Sequence, residues 1–223
     1  MSKNNNENNI KLETVINIFT VEKGMLKILL QRKNNDPYKG YWKLPNEILE
    51  KNETLDENVE KQLNKILGIS EIYKEQCYTF SEINRNPNER ILATSYISLI
   101  DSKTIEMKQE ENIQKESQWF NIQELPKLAF DHKEIVESAL KELKTKLINI
   151  NILKKLFPSD FTLPELQNIY ESLMNKKLDR RNFRKKFINL GLIEDTGYNN
   201  IGGSGRPAKL YKFKENIEEI NIF

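Results

Sequence analysis

The sequence of 223 residues is poor in the side chains that redox and zinc chemistry use, because it contains one cysteine and one histidine. Cys77 alone cannot form an internal disulfide bond or hold a zinc site, and its strand-like surroundings predict a small core residue. His132 follows Asp131 at a predicted helix start, where a histidine more often caps or packs than acts as a base. Redox chemistry is therefore disfavoured.

The sequence also lacks any apolar run long enough to cross a bilayer. Its first ten residues, MSKNNNENNI, are polar and have none of the apolar core of a secretory signal. These absences predict a soluble cytoplasmic protein with no membrane partner. The asparagine-rich residues 1–10 bury too little apolar surface to become ordered, so we predict a disordered tail there.

Charge is distributed unevenly along a chain whose net charge is only +2. Residues 151–223 contain 13 Lys and Arg against 9 Asp and Glu, whereas residues 1–150 contain 22 against 24. A chain of this length accommodates two domains of ordinary size. We predict one domain over residues 11–148 and a second, more basic one over residues 149–223.

The first domain has the pattern of a mixed α and β fold. Strand-like runs at 12–21 and 25–32 flank a turn that contains Gly24, which predicts a β-hairpin. Helical periodicity begins after Thr54, which forms a capping box with Glu57. The remaining predicted elements are strands at 76–80, 90–100 and 117–122 and a second helix from Asp131.

The letters GYWKLPNEILEKNETLDENVEKQLNKILGI, at 40–69, resemble the strand, loop and helix of the Nudix hydrolase family. In that family's signature, a glycine precedes a glutamate by six residues. An Arg-Glu-apolar-x-Glu-Glu-x-Gly-apolar run follows, and the acidic side chains hold magnesium. Here Glu53 matches the first glutamate, and Glu47 replaces the glycine. The arginine and the three helix glutamates are replaced by Lys61, Gln62, Lys65 and Ile66, whereas Leu63, Gly68 and Ile69 match.

These replacements remove the chemistry of a magnesium site. Magnesium takes oxygen ligands, chiefly carboxylates and substrate phosphates, and neither lysine nor isoleucine supplies one. An ammonium at Lys65, one turn after Lys61, adds positive charge where the cation would lie. We therefore predict a protein that is not an enzyme, with no catalytic residue, no metal site and no cofactor. From periodicity alone, the alternative is an ordinary amphipathic core helix.

A site without catalysis still offers side chains to a ligand. The helix lysines suit phosphate groups, and arginines in the loop NRNPNER suit phosphates or carboxylates. Aromatic residues suit a base or a sugar. The candidate ligand-binding residues are Trp42, Glu53, Lys61, Lys65, Arg85, Arg90 and Phe130. The open alternatives are a solvated helix face for the lysines, hairpin-turn positions for the arginines and core packing for the aromatic residues.

Residues 149–223 predict three helices followed by a β-hairpin, which together form a winged helix. After a short helix in ILKKLF, Thr162 and Glu165 form a capping box for the second helix. Asp179 caps the third helix, RRNFRKKFINL, which ends at Gly191. Cations cover one face of this third helix, and its predicted core face comprises Phe183, Phe187 and Leu190.

The string FTLPELQNIYESLMNKKLDRRNFRKKFINLGLIEDTG, with GRPAKLYKF, resembles the C-terminal DNA-binding domain of Nudix-related transcriptional regulators, and WFNIQELPKLAFDHKEIVESAL resembles the same family. The resemblance implies an α+β fold: an N-terminal Nudix-like mixed-sheet α/β/α domain and a C-terminal winged helix-turn-helix domain. It implies a homodimeric repressor that binds palindromic operator DNA. Its effector would be ADP-ribose, a related phosphorylated nucleotide or a sugar. The implied DNA-binding residues are Arg180, Arg181, Asn182, Arg184, Lys185, Arg206 and Lys209.

Two other functions remain open at this point. A hydrolase of nucleotide sugars that uses Glu47, Glu50 and Glu53 as an atypical metal site would turn over ADP-ribose with magnesium. A nucleic-acid-binding module that answers to no ligand would keep the same operator affinity across a panel of metabolites. For the cation-rich helix, the simplest alternative is an exposed face without a partner.

Overall fold

The computed structural model describes residues 10–70, 72–108, 116–146, 150–157, 160–200 and 207–215. The N-terminal strands are β1 (Lys11–Glu22), β2 (Met25–Arg32), β3 (Trp42–Lys43), β4 (Asn46–Ile48), β5 (Tyr73–Phe80), β6 (Ile91–Leu99) and β7 (Ser117–Asn121). The helices among them are α1 (Leu55–Leu67), α2 (Ser102–Lys108) and α3 (His132–Lys146). The C-terminal part contains α4 (Ile150–Leu156), β8 (Phe161–Thr162), α5 (Leu163–Met174), α6 (Arg180–Asn189), β9 (Ile193–Asn200) and β10 (Ala208–Phe213). Within the described ranges, no helix is long and apolar enough to span a membrane.

The described N-terminal strands form one mixed sheet with the order β3-β2-β1-β6-β5. Strand β1 runs antiparallel to β2 and parallel to β6, so that Phe19 pairs with Ile28 on one side and Leu99 on the other. Strand β4 pairs with the N-terminal half of β1, and β7 pairs with β2. The hairpin around Gly24 and the mixed sheet confirm the sequence prediction.

Helices cover both faces of this sheet. Successive side chains of a strand point to opposite faces, and β1 accordingly contributes to two hydrophobic clusters. Ile16 and Ile18 pack with Val59 and Leu63 of α1, whereas Phe19 belongs to a second cluster that contains the buried residues of α3. The sheet therefore positions α1 and α3 on either side of β1.

Helix α1 begins and ends as its sequence predicts. Thr54 Oγ1 accepts a hydrogen bond from the Glu57 N–H (3.2 Å), and the Glu57 carboxylate accepts one from the Thr54 N–H (2.7 Å). Gly68 closes the helix at φ 65°, where its N–H donates to the Asn64 carbonyl (2.7 Å). Both ends of the helix that carries the Nudix-like residues are thus capped.

The described C-terminal part forms the predicted winged helix. Helices α4, α5 and α6 accompany a sheet with the order β8-β10-β9, whose first strand, β8, lies between α4 and α5 in the chain. Thr162 and Glu165 form the expected capping box of α5. Asp179 accepts a hydrogen bond from the Asn182 N–H (2.8 Å) at the start of α6. The short strand β8, which no sequence pattern indicated, adds a third strand to the wing.

The core face of α6 is narrower than predicted. Phe183 and Phe187 are buried, and their ring centroids lie 5.6 and 5.8 Å from that of Tyr170 in α5. Leu190 is 38% exposed, so its assignment to the core was wrong. Leu190 is the C-cap residue, one position beyond the last helical residue, Asn189, so it lies past the end of the helix whose apolar stripe is buried.

One hydrophobic cluster extends from the N-terminal sheet into the winged helix. It contains buried residues of β1, β2, α3, α4, α5 and α6. The turn between β1 and β2 lies against α5, because a Cβ added to Gly24 would be 3.1 Å from the Glu165 Cα. Gln123 Nε2 also donates a hydrogen bond to Ser172 Oγ (3.0 Å). The two parts of the chain therefore share a core.

A buried ion-pair cluster joins the sheet to the start of α3. Arg85 Nη1 donates to Glu13 Oε1 (2.8 Å), and its Nε and Nη2 donate to the two carboxylate oxygens of Asp131 (2.8 and 2.9 Å). The side chains of Arg85 and Glu13 are 2% and 6% exposed. Burial lowers the pKa of the guanidinium, but the hydrogen bonds that it donates to Asp131 and Glu13 outweigh this effect and raise that pKa. Arg85 is therefore a permanent cation between two carboxylates.

We expect Gly24→Ala to lower the free energy of unfolding by about 2–4 kcal/mol. A left-handed backbone (φ 71°) costs an alanine about 1–2 kcal/mol, and overpacking against Glu165 adds about 1–2 kcal/mol. Gly197→Ala is the matched control, because Gly197 has φ 79° and no neighbouring atom within 4 Å of its added Cβ. Urea unfolding followed by circular dichroism measures both. Equal losses would show that the contact with α5 contributes nothing.

Replacing Arg85 with methionine should cost about 3–5 kcal/mol, because it leaves buried carboxylates without their cation. Lys11→Met provides the comparison, since it breaks an exposed pair with Glu89 whose side chains are 42% and 48% exposed. Such exposed pairs contribute about 1 kcal/mol at most. The same urea titration applies, and an Arg85→Met loss no larger than that of Lys11→Met would contradict a stabilising role for the buried cluster.

Candidate ligand site and candidate nucleic-acid interface

A buried layer of neutral polar groups lies between β1 and α1, where the Nudix-like residues are. Gln62 Nε2 donates to Thr14 Oγ1 (2.6 Å) and Asn58 Oδ1 (2.7 Å), and Thr14 Oγ1 donates to the same Asn58 oxygen (2.5 Å). Gln62 Oε1 is buried and has no hydrogen-bond partner among the described residues. A carboxylate at this position would bury a negative charge, which is costly without a cation. The neutral amide therefore suits a site without a metal.

The two lysines of α1 are paired with carboxylates. Lys65 Nζ lies 2.6 Å from Glu47 Oε1. Lys61 Nζ lies 3.1 Å from Glu50 Oε1 and 3.7 Å from Glu53 Oε2. The lysine side chains remain 51% and 56% exposed. Their ammonium groups thus contact the same carboxylates that a hard cation would need.

Both carboxylate oxygens of Glu53 have partners, because Oε2 lies 3.7 Å from the Lys61 ammonium. Its Oε1 accepts hydrogen bonds from Asn58 Nδ2 (2.6 Å) and from the Glu50 N–H (2.9 Å). The hydrogen bond from Asn58, then that from Glu50 and the charge of Lys61, lower the pKa of Glu53. This carboxylate is therefore ionised at neutral pH and anchors Lys61 to the start of the helix.

The residues present do not fit the magnesium site of the Nudix signature. Ile66 is 3% exposed and packs in the cluster beneath α1, so it faces the core instead of a ligand. Within the described ranges, no group of three or more His, Cys, Asp or Glu side chains is arranged to hold a metal ion. In place of the helix carboxylates, the site presents the amide of Gln62 and the ammonium groups of Lys61 and Lys65.

Lys43 of β3 is a further cation at this site, and no sequence motif beyond its place in GYWKLP marks it. Its Nζ donates to Asn46 Oδ1 (2.7 Å). Burial lowers the pKa of Lys43, and the charges of Lys33 and Lys65 act in the same direction, whereas Glu13 opposes the shift. Several cations thus influence one another around the N-terminal half of β1.

Trp42 is engaged in packing and in backbone pairing. Its ring meets Phe120 edge-on (4.7 Å between centroids), and the Arg32 guanidinium lies 5.2 Å from the ring centroid. Its carbonyl accepts a hydrogen bond from the Ala129 N–H (2.8 Å), which joins β3 to the segment before α3. These contacts agree with core packing, the alternative stated for this residue.

Phe130 belongs to a more exposed aromatic group. Its backbone has φ 53°, and its ring centroid lies 5.0 Å from that of Tyr38. Tyr38 in turn contacts Tyr41 (5.7 Å), and both tyrosines are more than a third exposed. The Lys33 ammonium lies 5.6 Å from the Phe130 centroid. This group offers aromatic faces to a planar ligand.

The two arginines of the loop NRNPNER bind protein groups. Arg85 is enclosed in the ion-pair cluster described above, and its Nε, Nη1 and Nη2 all donate to carboxylates. Arg90 donates to the carbonyls of Glu82 and Ser81 (2.9 Å each). The structure brings Glu53, Lys61 and Lys65 together at α1, whereas these arginines shape their own loop.

His132 has the packing role that its sequence position favoured. Its ring is fully buried, and its Nδ1 accepts a hydrogen bond from the Leu44 N–H (2.9 Å). Burial, followed by the charges of Lys43 and Arg85, lowers the pKa of His132 to about 3. The imidazole is therefore neutral at physiological pH and fixes the chain between β3 and β4.

Helix α6 exposes the predicted cation-rich surface. Its exposed polar residues include Arg180, Arg181, Asn182, Arg184 and Lys185. Within the part of the chain that the structure describes, none of these four cations forms an ion pair. Arginine forks suit both guanine edges and phosphate oxygens. Helix α6 therefore has the chemistry of a recognition helix.

The wing contributes a cation that is already paired. Lys209 Nζ lies 2.6 Å from Asp195 Oδ2. The hydrogen bond from Lys209, then that from the Gly197 N–H, lower the pKa of Asp195, to which Arg184 also contributes. No local sequence pattern marks this carboxylate within a basic surface, because β9 brings it there. Arg206 lies outside the described residues.

A cavity of about 500 Å³ separates the wing from the recognition helix. Its polar lining residues include Gln167, Arg180, Arg184 and Lys209. Tyr198, on β9, is 75% exposed. The concave, cationic surface between α6 and β10 is suited to the phosphate backbone of a nucleic acid.

Comparison with known proteins matches both parts of the chain to families. Residues 11–139 match the model of the NUDIX domain, and residues 154–213 match that of the NrtR DNA-binding winged helix domain. The chain is 34% identical over 209 residues to an ADPR responsive transcriptional repressor of Acinetobacter baylyi, a match that covers 92% of this chain and 82% of that protein.

Solved structures give the same result. The chain is similar to NrtR of Shewanella oneidensis in complex with a 27mer DNA, with a TM-score of 0.73, 28% identity and coverage of 91% of this chain and 93% of that one. The NUDIX domain of the same protein in complex with ADP ribose has a TM-score of 0.50 at 26% identity, over 59% of this chain and 87% of that one. From its NUDIX domain, its winged helix domain and its likeness to these regulators, the chain belongs to the NrtR family of Nudix-related transcriptional regulators.

Proposed function

We propose that this protein is a transcriptional repressor that releases its operator when ADP-ribose binds the Nudix-like domain. The observation that carries the proposal is that one chain combines a cation-rich helix of a winged helix with a Nudix-type site whose helix carboxylates are replaced. The first feature binds a polyanion, and the second keeps a phosphate-binding architecture without its catalytic metal ligands. The Acinetobacter baylyi relative, which aligns with 92% of this chain, is an ADPR responsive transcriptional repressor, which supports this proposal.

On the DNA side, we propose that α6 enters the major groove and that the wing contacts the backbone. The exposed cations near the N-terminus of α6 lie where recognition helices meet base edges. The proposed DNA contacts are Arg180, Arg181, Asn182, Arg184 and Lys185, with Lys209 and Arg206 at the wing. A homodimer with half-sites about one helical turn apart would match a palindromic operator.

On the ligand side, we propose that residues 11–148 form the sensor and residues 149–223 the DNA-binding domain. The proposed contacts to ADP-ribose are Glu53, Lys61 and Lys65 at α1 and Phe130 in the aromatic group that includes Tyr38. Trp42, Arg85 and Arg90 support the fold around these contacts. We favour ADP-ribose over an uncharged sugar, because a diphosphate suits ammonium groups and an adenine suits aromatic faces.

We propose further that the protein does not hydrolyse ADP-ribose. Metal-assisted hydrolysis requires an ion that polarises a phosphorus-bound oxygen or activates water. Glu47, Glu50 and Glu53 are each paired with a lysine of α1, so the atypical metal site of a hydrolase would first have to break these pairs.

ADP-ribose is expected to weaken operator binding by about 5- to 150-fold, because allosteric coupling is typically about 1–3 kcal/mol. The assay is fluorescence anisotropy of the full-length protein on a duplex selected from a random-sequence pool, with arabinose and AMP as comparison ligands. Constant affinity across the panel would indicate a DNA-binding module without an effector. Release of AMP from ADP-ribose in the presence of magnesium would indicate the hydrolase instead.

Arg184→Ala should weaken binding to the selected duplex by about 1–3 kcal/mol if the side chain reads a base, or reduce the salt dependence if it contacts phosphate. Lys133→Ala, which removes an exposed cation of α3, is the control and should change neither quantity. Titrations at several salt concentrations separate the two contributions. Unchanged affinity and an unchanged salt slope would remove Arg184 from the interface.

A further inference from the structure

Four substitutions change the charge of the Nudix-type site relative to the family signature. Gln62 and Ile66 each remove one negative charge, Lys65 removes one negative charge and adds a positive one, and Glu47, in place of the glycine, adds a negative charge. The site is therefore three charge units more positive than in a hydrolase. In hydrolases, divalent cations supply the positive charge that neutralises a substrate diphosphate.

The added charge lies within reach of a ligand. Lys61 and Lys65 are one turn apart on α1, so their side chains emerge on the same face. Both are about half exposed, and the capping box and Gly68 fix the helix that carries them. Two ammonium groups at this spacing match the two anionic phosphates of a diphosphate.

The carboxylates that pair with these lysines differ in solvent exposure and in the number of other groups that bind them. Glu53 is only 12% exposed and is bound by Asn58 and by the Glu50 N–H, whereas the Glu50 side chain is 70% exposed and that of Glu47 is 30% exposed. A phosphate can take the place of an exposed carboxylate without leaving a lysine unpaired. Exchange of one anion for another avoids stripping a cation of all its partners.

The layer beneath the lysines is neutral. Gln62, Asn58 and Thr14 hydrogen-bond to one another through amide and hydroxyl groups, so this layer holds no buried carboxylate that a metal would have to neutralise. From this layer and the two lysines, we infer that Lys61 and Lys65 are built-in cations that replace the divalent metal, and that the protein binds the diphosphate of its effector without magnesium. The inference rests on the proposed function for the identity of that effector.

Isothermal titration of the full-length protein with ADP-ribose, in EDTA and in excess magnesium, tests this inference. The dissociation constant should agree within about twofold in the two buffers. The double variant Lys61→Gln/Lys65→Gln should bind at least about tenfold more weakly, since charge-assisted hydrogen bonds to phosphate are lost. Lys74→Gln is the matched control. Lys74 lies in β5 and pairs with Glu60 of α1, and its replacement should leave binding unchanged. Thermal unfolding of each variant verifies that it is folded.

A charge reversal gives a second readout. Lys65→Glu restores the signature carboxylate beside Glu47, and its ADP-ribose binding should be weak in EDTA and partly restored by magnesium. Binding by the wild-type protein that requires magnesium would overturn the inference. So would magnesium-free binding that is unaffected in the double variant.

A parallel titration with inorganic pyrophosphate in EDTA distinguishes failure of the proposed function from failure of this inference. If the wild-type protein ignores ADP-ribose but binds pyrophosphate through the two lysines, the effector assignment fails and the built-in cations stand. If neither compound binds, the inference fails as well. Pyrophosphate binding that survives in the double variant would likewise overturn it.

Discussion

The continuous hydrophobic cluster that joins the sheet to the winged helix is the constraint on which the rest of this structure depends. Because α4 and α5 complete the core beneath β1 and β2, the recognition helix is oriented by side-chain packing against the sensor. Tyr170 of α5 packs against Phe183 and Phe187 of α6, so the position of α5 determines that of α6. A ligand that changes the packing of the sheet therefore acts on the same core that positions α6, which is a physical requirement for coupling between two sites.

The cation-bearing surfaces of α1 and α6 differ in how their cations are paired. At α1, Lys61 and Lys65 are each paired with a glutamate, so the site is locally balanced and an incoming anion would have to compete with a carboxylate. At α6, Arg180, Arg181, Arg184 and Lys185 form no ion pair among the described residues, so this surface has the chemistry to contact phosphate groups, which carry no sequence information by themselves. Asp195 is the exception, because it holds Lys209 at the edge of this surface.

Local patterns predicted a large part of the fold. The capping boxes at Thr54 and Thr162 marked helix starts correctly, because they depend on residues three apart in sequence. The winged helix followed from helix spacing and the Gly-rich turn. The ion pairs of Arg85 were not predictable in this way, since its partners lie 72 and 46 residues away. The same applies to Lys43 and Asp195, whose environments are created by strand pairing. Leu190 was misassigned because periodicity does not reveal where a helix stops.

The buried imidazole of His132 determines how the charge of the protein responds to pH near neutrality. It is the only histidine in the sequence, and burial keeps it uncharged far below the usual titration range of the residue. No histidine charge therefore changes around neutral pH. Any response of the protein to pH near neutrality would have to come from other titratable groups.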